Sequence, residues 1–167
     1  MSKVDSTNLI QITMIVDDIE RVARNYCEAY GLEMPEIWYH PGPESAAFEY
    51  RGKFCDVGKA KFCVFQFGPV ALELAEVEDA PNTSWADFKE KYGCCVHNIG
   101  LYVKDLQGAL DAFAQKGCKA IHTGYFEDES YTIVEAEKEF GCRVNLKHAG
   151  EDNRKLIEEK RKEILGK

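Results

Sequence analysis

The chain has 167 residues, 45% of them apolar and 30% charged, which is enough to bury a core without disulfide staples and too apolar for a disordered polymer. Its 29 acidic residues against 21 basic ones give a formal net charge of -8, the wrong sign for a phosphate-backbone binder, so nucleic acid is not an expected partner. No apolar run is long and unbroken enough to span a bilayer, the stretch from Met1 to Ser6 lacks a secretory pattern, and seven cysteines form no C-x-x-C; a cytoplasmic protein with reduced thiols is expected.

A repeat organises the rest. Gln11 to Glu20 returns as Asn98 to Gln107, with Ile12, Val16 and Asp18 matched by Ile99, Val103 and Asp105. Each copy reads as an alternating strand followed by an Asp-initiated helix. The first helix spans about Asp18 to Tyr30 and stops at Gly31; the second spans Asp105 to Lys116 and stops at Gly117. Three strand candidates follow each helix: Ala46–Tyr50, Lys61–Phe67 and Val70–Ala75 in the first half, then Lys119–Thr123, Tyr131–Ala136 and Cys142–Lys147 in the second. The expected fold is therefore α+β, two tandem βαβββ modules (9–77 and 95–148), each with a helix over one sheet face. A linker helix in 78–94, led by Asn82-Thr83-Ser84, joins the modules within a single domain, 1–150. A charged C-terminal helix, 151–167, either caps the domain, contributes to a homodimer, or frays.

Strand parity locates a cavity. One face of each strand must pack under the helices, and the consistently apolar positions, such as Ile12, Met14 and Val16, take that side. The opposite parity leaves Gln11, Thr13, Glu73, Asn98, Tyr102, Arg143, Asn145 and Lys147 on a free face. It places His97 on the other side unless a bulge shifts the register. Trp38, Tyr125 and Phe126 are further candidates for the lining, and His40 lies in a loop able to lid it. His122 and His148 carry no ligand spacing, and the adjacent Cys94-Cys95 reads as a turn into a strand, with a reactive thiolate as the alternative.

The βαβββ duplication, with V-x-D-[IL] after each first strand, Ala71-Leu72-Glu73-Leu74 closing the first half, and Trp85-x-x-Phe88 leading into Val96-His97-Asn98-Ile99-Gly100, resembles the vicinal oxygen chelate superfamily. Members include glyoxalase I, methylmalonyl-CoA epimerase, extradiol dioxygenases, and bleomycin- and fosfomycin-resistance proteins; the likeness covers about Leu9 to Leu146 and is strongest to the small epimerase-like and glyoxalase-like members. The resemblance implies that the two modules form a cupped eight-stranded mixed sheet with helices outside, around a metal held by four residues at the positions of Gln11, Glu73, Asn98 and Asn145. Here those positions hold one carboxylate and three amides, a set that suits neither a borderline-soft ion nor a tightly held hard one, so the expectation is no tight metal and no cofactor, with a weakly held divalent cation as a lesser option.

Two functional readings stay open. One is an isomerase or lyase acting by proton transfer on a small acid or thioester, with Glu73 catalytic, the amides holding substrate, and Arg143 supplying positive charge. The other is a metal-free protein that binds or sequesters a small molecule, as the resistance-type members do.

Overall fold

The computed structural model describes residues 2–149 and 152–166, so the predicted ends of the tail helix, Glu151 and Lys167, lie outside the described residues. The elements run β1 (Leu9–Val16), α1 (Ile19–Tyr30), β2 (Trp38–Tyr39), β3 (Ala47–Tyr50), β4 (Lys53–Cys55), β5 (Lys59–Phe67), β6 (Val70–Asp79), α2 (Ser84–Tyr92), β7 (Val96–Tyr102), α3 (Leu106–Ala114), β8 (Lys119–Tyr125), β9 (Glu129–Glu135), α4 (Glu137–Phe140), β10 (Arg143–Ala149) and α5 (Arg154–Leu165). One mixed sheet contains all the strands, in the order β2-β5-β6-β1-β7-β10-β9-β8-β3-β4.

The helices start where the sequence offers a cap. Asp18 accepts from the Arg21 amide at 2.8 Å, Asp105 from the Gly108 amide at 2.9 Å, and Thr83 from the Ala86 amide at 3.2 Å. Gly31, at φ 67°, closes α1 in the left-handed conformation. The buried apolar groups then separate by sheet face. Val16, Ile19, Ala23, Phe65, Leu72 and Leu74 pack with α1, and Val103, Ala109, Phe113, Val134, Val144 and Leu146 pack with α3. A third cluster joins Ile15, Phe62 and Ala75, alternate residues of β1, β5 and β6, to Phe48 of β3 and to Trp85 and Phe88 of α2.

At the centre, β1 and β7, the first strands of the two repeats, pair antiparallel; each also pairs in parallel with the last strand of its own half, β6 or β10. The fold class follows the duplication, but the sheet has ten strands rather than eight. The segment expected as the second strand of the first module, β3, instead hydrogen-bonds to β8 of the second module. The first module is edged by β2, a two-residue strand too short to announce itself in sequence. The extra strand β4 returns from β3 through Arg51 (φ 49°) and Gly52 (φ 80°), the paired left-handed residues of a tight hairpin.

The connection from β2 to β3 therefore runs from one end of the sheet toward the other. His40 shows how far the sheet curls: its ring packs against Phe62 of β5, with centroids 5.4 Å apart, and against Phe48 of β3 at 4.7 Å. The start of α5 fixes the same rim, because Asn153 Nδ2 donates to the Phe126 carbonyl at 2.8 Å and the Asn153 amide donates to the Glu127 carbonyl at 2.9 Å.

Arg143 ties α2 to the second module. It is fully buried, donates to the Ser84 carbonyl, and meets Asp87 at 3.0 Å and Glu137 at 2.9 Å. Arg51 adds a second cation on Asp87 at 3.1 Å. Replacing Arg143 with Met should destabilise the fold by about 3 kcal/mol, since it strips Glu137 and the Ser84 carbonyl of their donor and leaves Asp87 to Arg51 alone. Urea unfolding of the variant against wild type measures this, and a loss within experimental error would show that the cluster contributes nothing.

Candidate functional site

A cavity of about 250 Å³ opens on the face opposite α1 and α3. Its polar side is built by Gln11, Glu73, Asn98, Asn145 and Lys147, and its apolar side by Trp38, Phe62, Trp85 and Phe126, with His40, Pro41 and Tyr131 between them. The four positions singled out by parity thus come from four adjacent strands, β6, β1, β7 and β10, and share one space. Gly100 makes room for this: it lies opposite both Gln11 and Asn145 in register, and a Cβ there would come within 2.8 Å of Gln11 Cβ.

A directed hydrogen-bond network holds the carboxylate. Thr13 is opposite Glu73 on one side and Asn98 on the other, so its hydroxyl sits between them. That hydroxyl donates to Glu73 Oε2 at 2.9 Å and accepts from Asn98 Nδ2 at 3.2 Å and Gln11 Nε2 at 3.4 Å. One proton and two lone pairs are thereby fully used. With its amide nitrogen so committed, Asn98 presents Oδ1 to His97 Nδ1 at 2.6 Å, which makes that ring nitrogen the donor. Two acceptors are left over, as Gln11 Oε1 and Asn145 Oδ1 are buried without a hydrogen-bond partner.

Burial pushes the Glu73 carboxyl above the usual carboxylate range, while the Lys147 charge and the side chains of Thr13 and Gln11 pull it the other way. Among the described residues, Lys147 is the cation of the cavity lining and makes no ion pair within 4 Å. The histidines are driven toward neutrality. Burial lowers His40 and His97 to about 4 and His122 well below its usual value, with His40 and His97 adding to the depression of His122.

Other expected site residues lie elsewhere. Arg143 has the parity of Asn145 but is covered by α2 in the ion cluster described above, so it does not line the cavity. Tyr102 is 37% exposed, beside Asp5 to Asn8 at the far end of β7. Tyr125 stacks on Phe54 outside the lining. Thr13 acts behind the cavity wall, through Glu73. His97 is the extra residue of a register shift between β1 and β7, and its ring turns to Ser84 and Phe88 of α2, contrary to the plain alternation. The side chains of Cys94 and Cys95 are exposed between α2 and β7, and burial together with Asp17 raises the Cys94 thiol, which disfavours the thiolate. His148 bonds the Lys104 carbonyl, away from the cavity. Sequence reasoning missed Ser130, Tyr131 and Glu129 as lining residues, since their position depends on how far the sheet curls.

The donor set does not fit a resident metal ion. Asn98 spends its oxygen on His97 and its nitrogen on Thr13, which leaves one carboxylate and two amide oxygens. Among the described residues, no group of three or more His, Cys, Asp or Glu converges on a point.

Fold and cavity together define a cupped βαβββ protein with a single half-buried carboxylate facing an aromatic wall. A sequence profile of the glyoxalase/bleomycin resistance protein/dioxygenase superfamily matches residues 10–152, and the chain belongs to that superfamily. Among solved structures it is similar to the methylmalonyl-CoA epimerase of Mycobacterium tuberculosis, with 13% identity, a TM-score of 0.57, and coverage of 95% of this chain and 96% of that one. A variant of the Streptomyces coelicolor methylmalonyl-CoA epimerase in complex with 2-nitronate-propionyl-CoA matches at 16% identity and a TM-score of 0.55, covering 90% of this chain and 98% of that one. At these identities the likeness is one of fold. No curated protein matches the sequence. No helix of the described residues is long and apolar enough to cross a membrane.

The buried histidines and Glu73 oppose each other in the pH dependence of stability. His40 and His97 titrate near 4 when folded but near 6.5 when unfolded, so between these values the unfolded chain binds more protons and stability falls as pH drops. Each histidine contributes a slope of up to about 1.4 kcal/mol per pH unit. Glu73, raised above 4.5, contributes the reverse: its share of stability is lost as pH rises through its folded value. Urea unfolding at pH 7, 6 and 5 should show stability falling with acid, and more steeply in Glu73→Gln than in wild type. A flat or inverted dependence would contradict the burial of neutral histidines.

Proposed function

We propose that the chain is a proton-transfer enzyme of the isomerase or lyase type, acting on a small carbon acid in this cavity with Glu73 as the base. The observation that carries the reading is the position of Glu73, half-buried, oriented by Thr13, and facing a space it shares with one cation, Lys147. A carboxylate relieved of water is a stronger base toward a C–H bond than an exposed one. Thr13 spends its only proton on one oxygen of Glu73, which leaves the other to receive the proton. The electron pair of the broken C–H bond moves onto the neighbouring carbonyl or carboxylate, where the Lys147 ammonium offsets the developing charge; Glu73 then returns a proton to an adjacent carbon of the delocalised anion, which completes an isomerisation, whereas return to the original carbon gives solvent exchange alone. Arg143, held in the ion cluster under α2, does not reach the cavity, and Lys147 supplies the positive charge in its place. The epimerase names of the structural neighbours agree with this class of reaction. The aromatic wall supports a second reading, a binding protein that holds a flat ligand without altering it.

The test is solvent exchange. Wild-type protein is incubated in D₂O with a panel of small carboxylic acids and thioesters, and loss of the α-proton signal is followed by NMR. Exchange of at least one member is expected, with Glu73→Gln slower by about 100-fold or more. Its pH profile should rise along a limb displaced above the ordinary carboxylate value. Equal rates in the variant would remove Glu73 from the chemistry, and tight binding with no exchange across the panel would favour the second reading.

A further inference from the structure

The positions that a metal would occupy in a chelating relative are not empty of function here. Gln11 Oε1 and Asn145 Oδ1 are buried acceptors without partners, and both residues line the cavity beside Glu73. Gln11 is 4% exposed and Asn145 6%. The amide of Gln11 is not free to turn its nitrogen into this space, because Thr13 has already donated its proton to Glu73 and needs Nε2 as a donor. Buried acceptors left unpaired are costly, so the ligand that belongs here brings hydrogen-bond donors. Two amide oxygens, a carboxylate and nearby aromatic faces form an environment for a cationic nitrogen, whose several N–H bonds satisfy the acceptors that are too few to hold a metal ion. Lys147, on the same strand as Asn145 and two residues beyond it, offers a separate point for an anion. Opposite these groups, Trp38, Phe62, Trp85 and Phe126 form an apolar wall, and about 250 Å³ sets a compact size.

We infer that the cavity binds a zwitterionic amino acid with a bulky apolar or aromatic side chain, its ammonium donating to Gln11 Oε1 and Asn145 Oδ1 and its carboxylate on Lys147, which leaves the free oxygen of Glu73 toward the α-carbon. This names the ligand class for the proposed reaction and rests on the reading that this cavity is the working site. It makes no demand that the bound molecule be turned over.

Calorimetric titration of the full chain with L- and D-phenylalanine, 3-phenyllactate, 3-phenylpropionate and phenethylamine separates the contributions. At least one phenylalanine enantiomer should bind tenfold or more tighter than 3-phenylpropionate, which lacks the donor, and than phenethylamine, which lacks the carboxylate. Binding should persist in EDTA. Lys147→Met should weaken phenylalanine at least tenfold while leaving phenethylamine within about twofold, and Asn145→Leu should weaken phenylalanine and phenethylamine alike. Equal affinity for 3-phenylpropionate, preference for 3-phenyllactate, dependence on a divalent ion, or no binding of any probe would overturn the assignment. The two proposals fail separately: phenylalanine that binds without exchanging its α-proton in D₂O, while no other acid exchanges, sinks the reaction and leaves the ligand class standing. Exchange of other acids with no phenylalanine binding does the reverse.

Discussion

The Thr13 hydroxyl is the point on which the site depends. It lies on the seam where the two halves of the duplicated chain meet, between a carboxylate from one half and an amide from the other. A hydroxyl has one proton to give, and the half-buried carboxylate takes it. That choice sets the direction of every bond behind it: Asn98 and Gln11 turn their nitrogens to Thr13, and Asn98 turns its oxygen to His97. The neutral state of His97, enforced by burial, matches a role as a single donor in this chain. Nothing in the network delivers a second full charge to Glu73, so its protonation balance is left to desolvation and to Lys147 across the cavity.

Duplication explains the geometry, and divergence between the halves explains the chemistry. Gln11 and Asn98 occupy matching places on the first strands, while Glu73 and Asn145 lie on the last strands of their halves. The repeat thus presents two matched pairs of positions to one space, and of these four only Glu73 carries a carboxylate. The result is polar asymmetry: an acid and its hydrogen-bond donors around β1 and β6, unpaired acceptors at Gln11 and Asn145, and a cation at Lys147. That pattern orients a ligand with opposite charges at its two ends better than it chelates an ion.

The period-two alternation of strands made much of this legible before any coordinates. Ile12, Met14 and Val16 had to face α1, and the rule that puts them there sends Gln11 and Thr13 to the other side; the same holds for Glu73, Asn98 and Asn145. Parity says nothing of position along the strand, however. Arg143 and Tyr102 have the right parity and the wrong depth: α2 covers one, and the other lies at the exposed end of β7. His97 escaped alternation through a bulge, a feature that depends on pairing between distant strands. The placement of β3 on the second module was likewise invisible, because a four-residue apolar strand carries no label for its partner.

That misplaced strand matters most for the site. By carrying β3 across to β8, the chain passes from the β2 edge to the opposite end of the sheet, and the crossing segment brings His40 and Pro41 into the cavity wall. His40 then contacts Phe62, Trp85, Phe48 and Phe126, rings contributed by β5, α2, β3 and the turn after β8. A charged imidazole could not sit among them, and burial holds this one neutral. From the other side, Asn153 pins the same turn at Phe126, so the C-terminal helix helps to hold the aromatic wall. The polar side of the cavity comes from the repeated unit, and its apolar side, Phe62 of β5 apart, comes from the segments where the chain departs from the repeat; ligand class is thus written largely in the irregular parts of the fold, and the position of the acid in the regular ones.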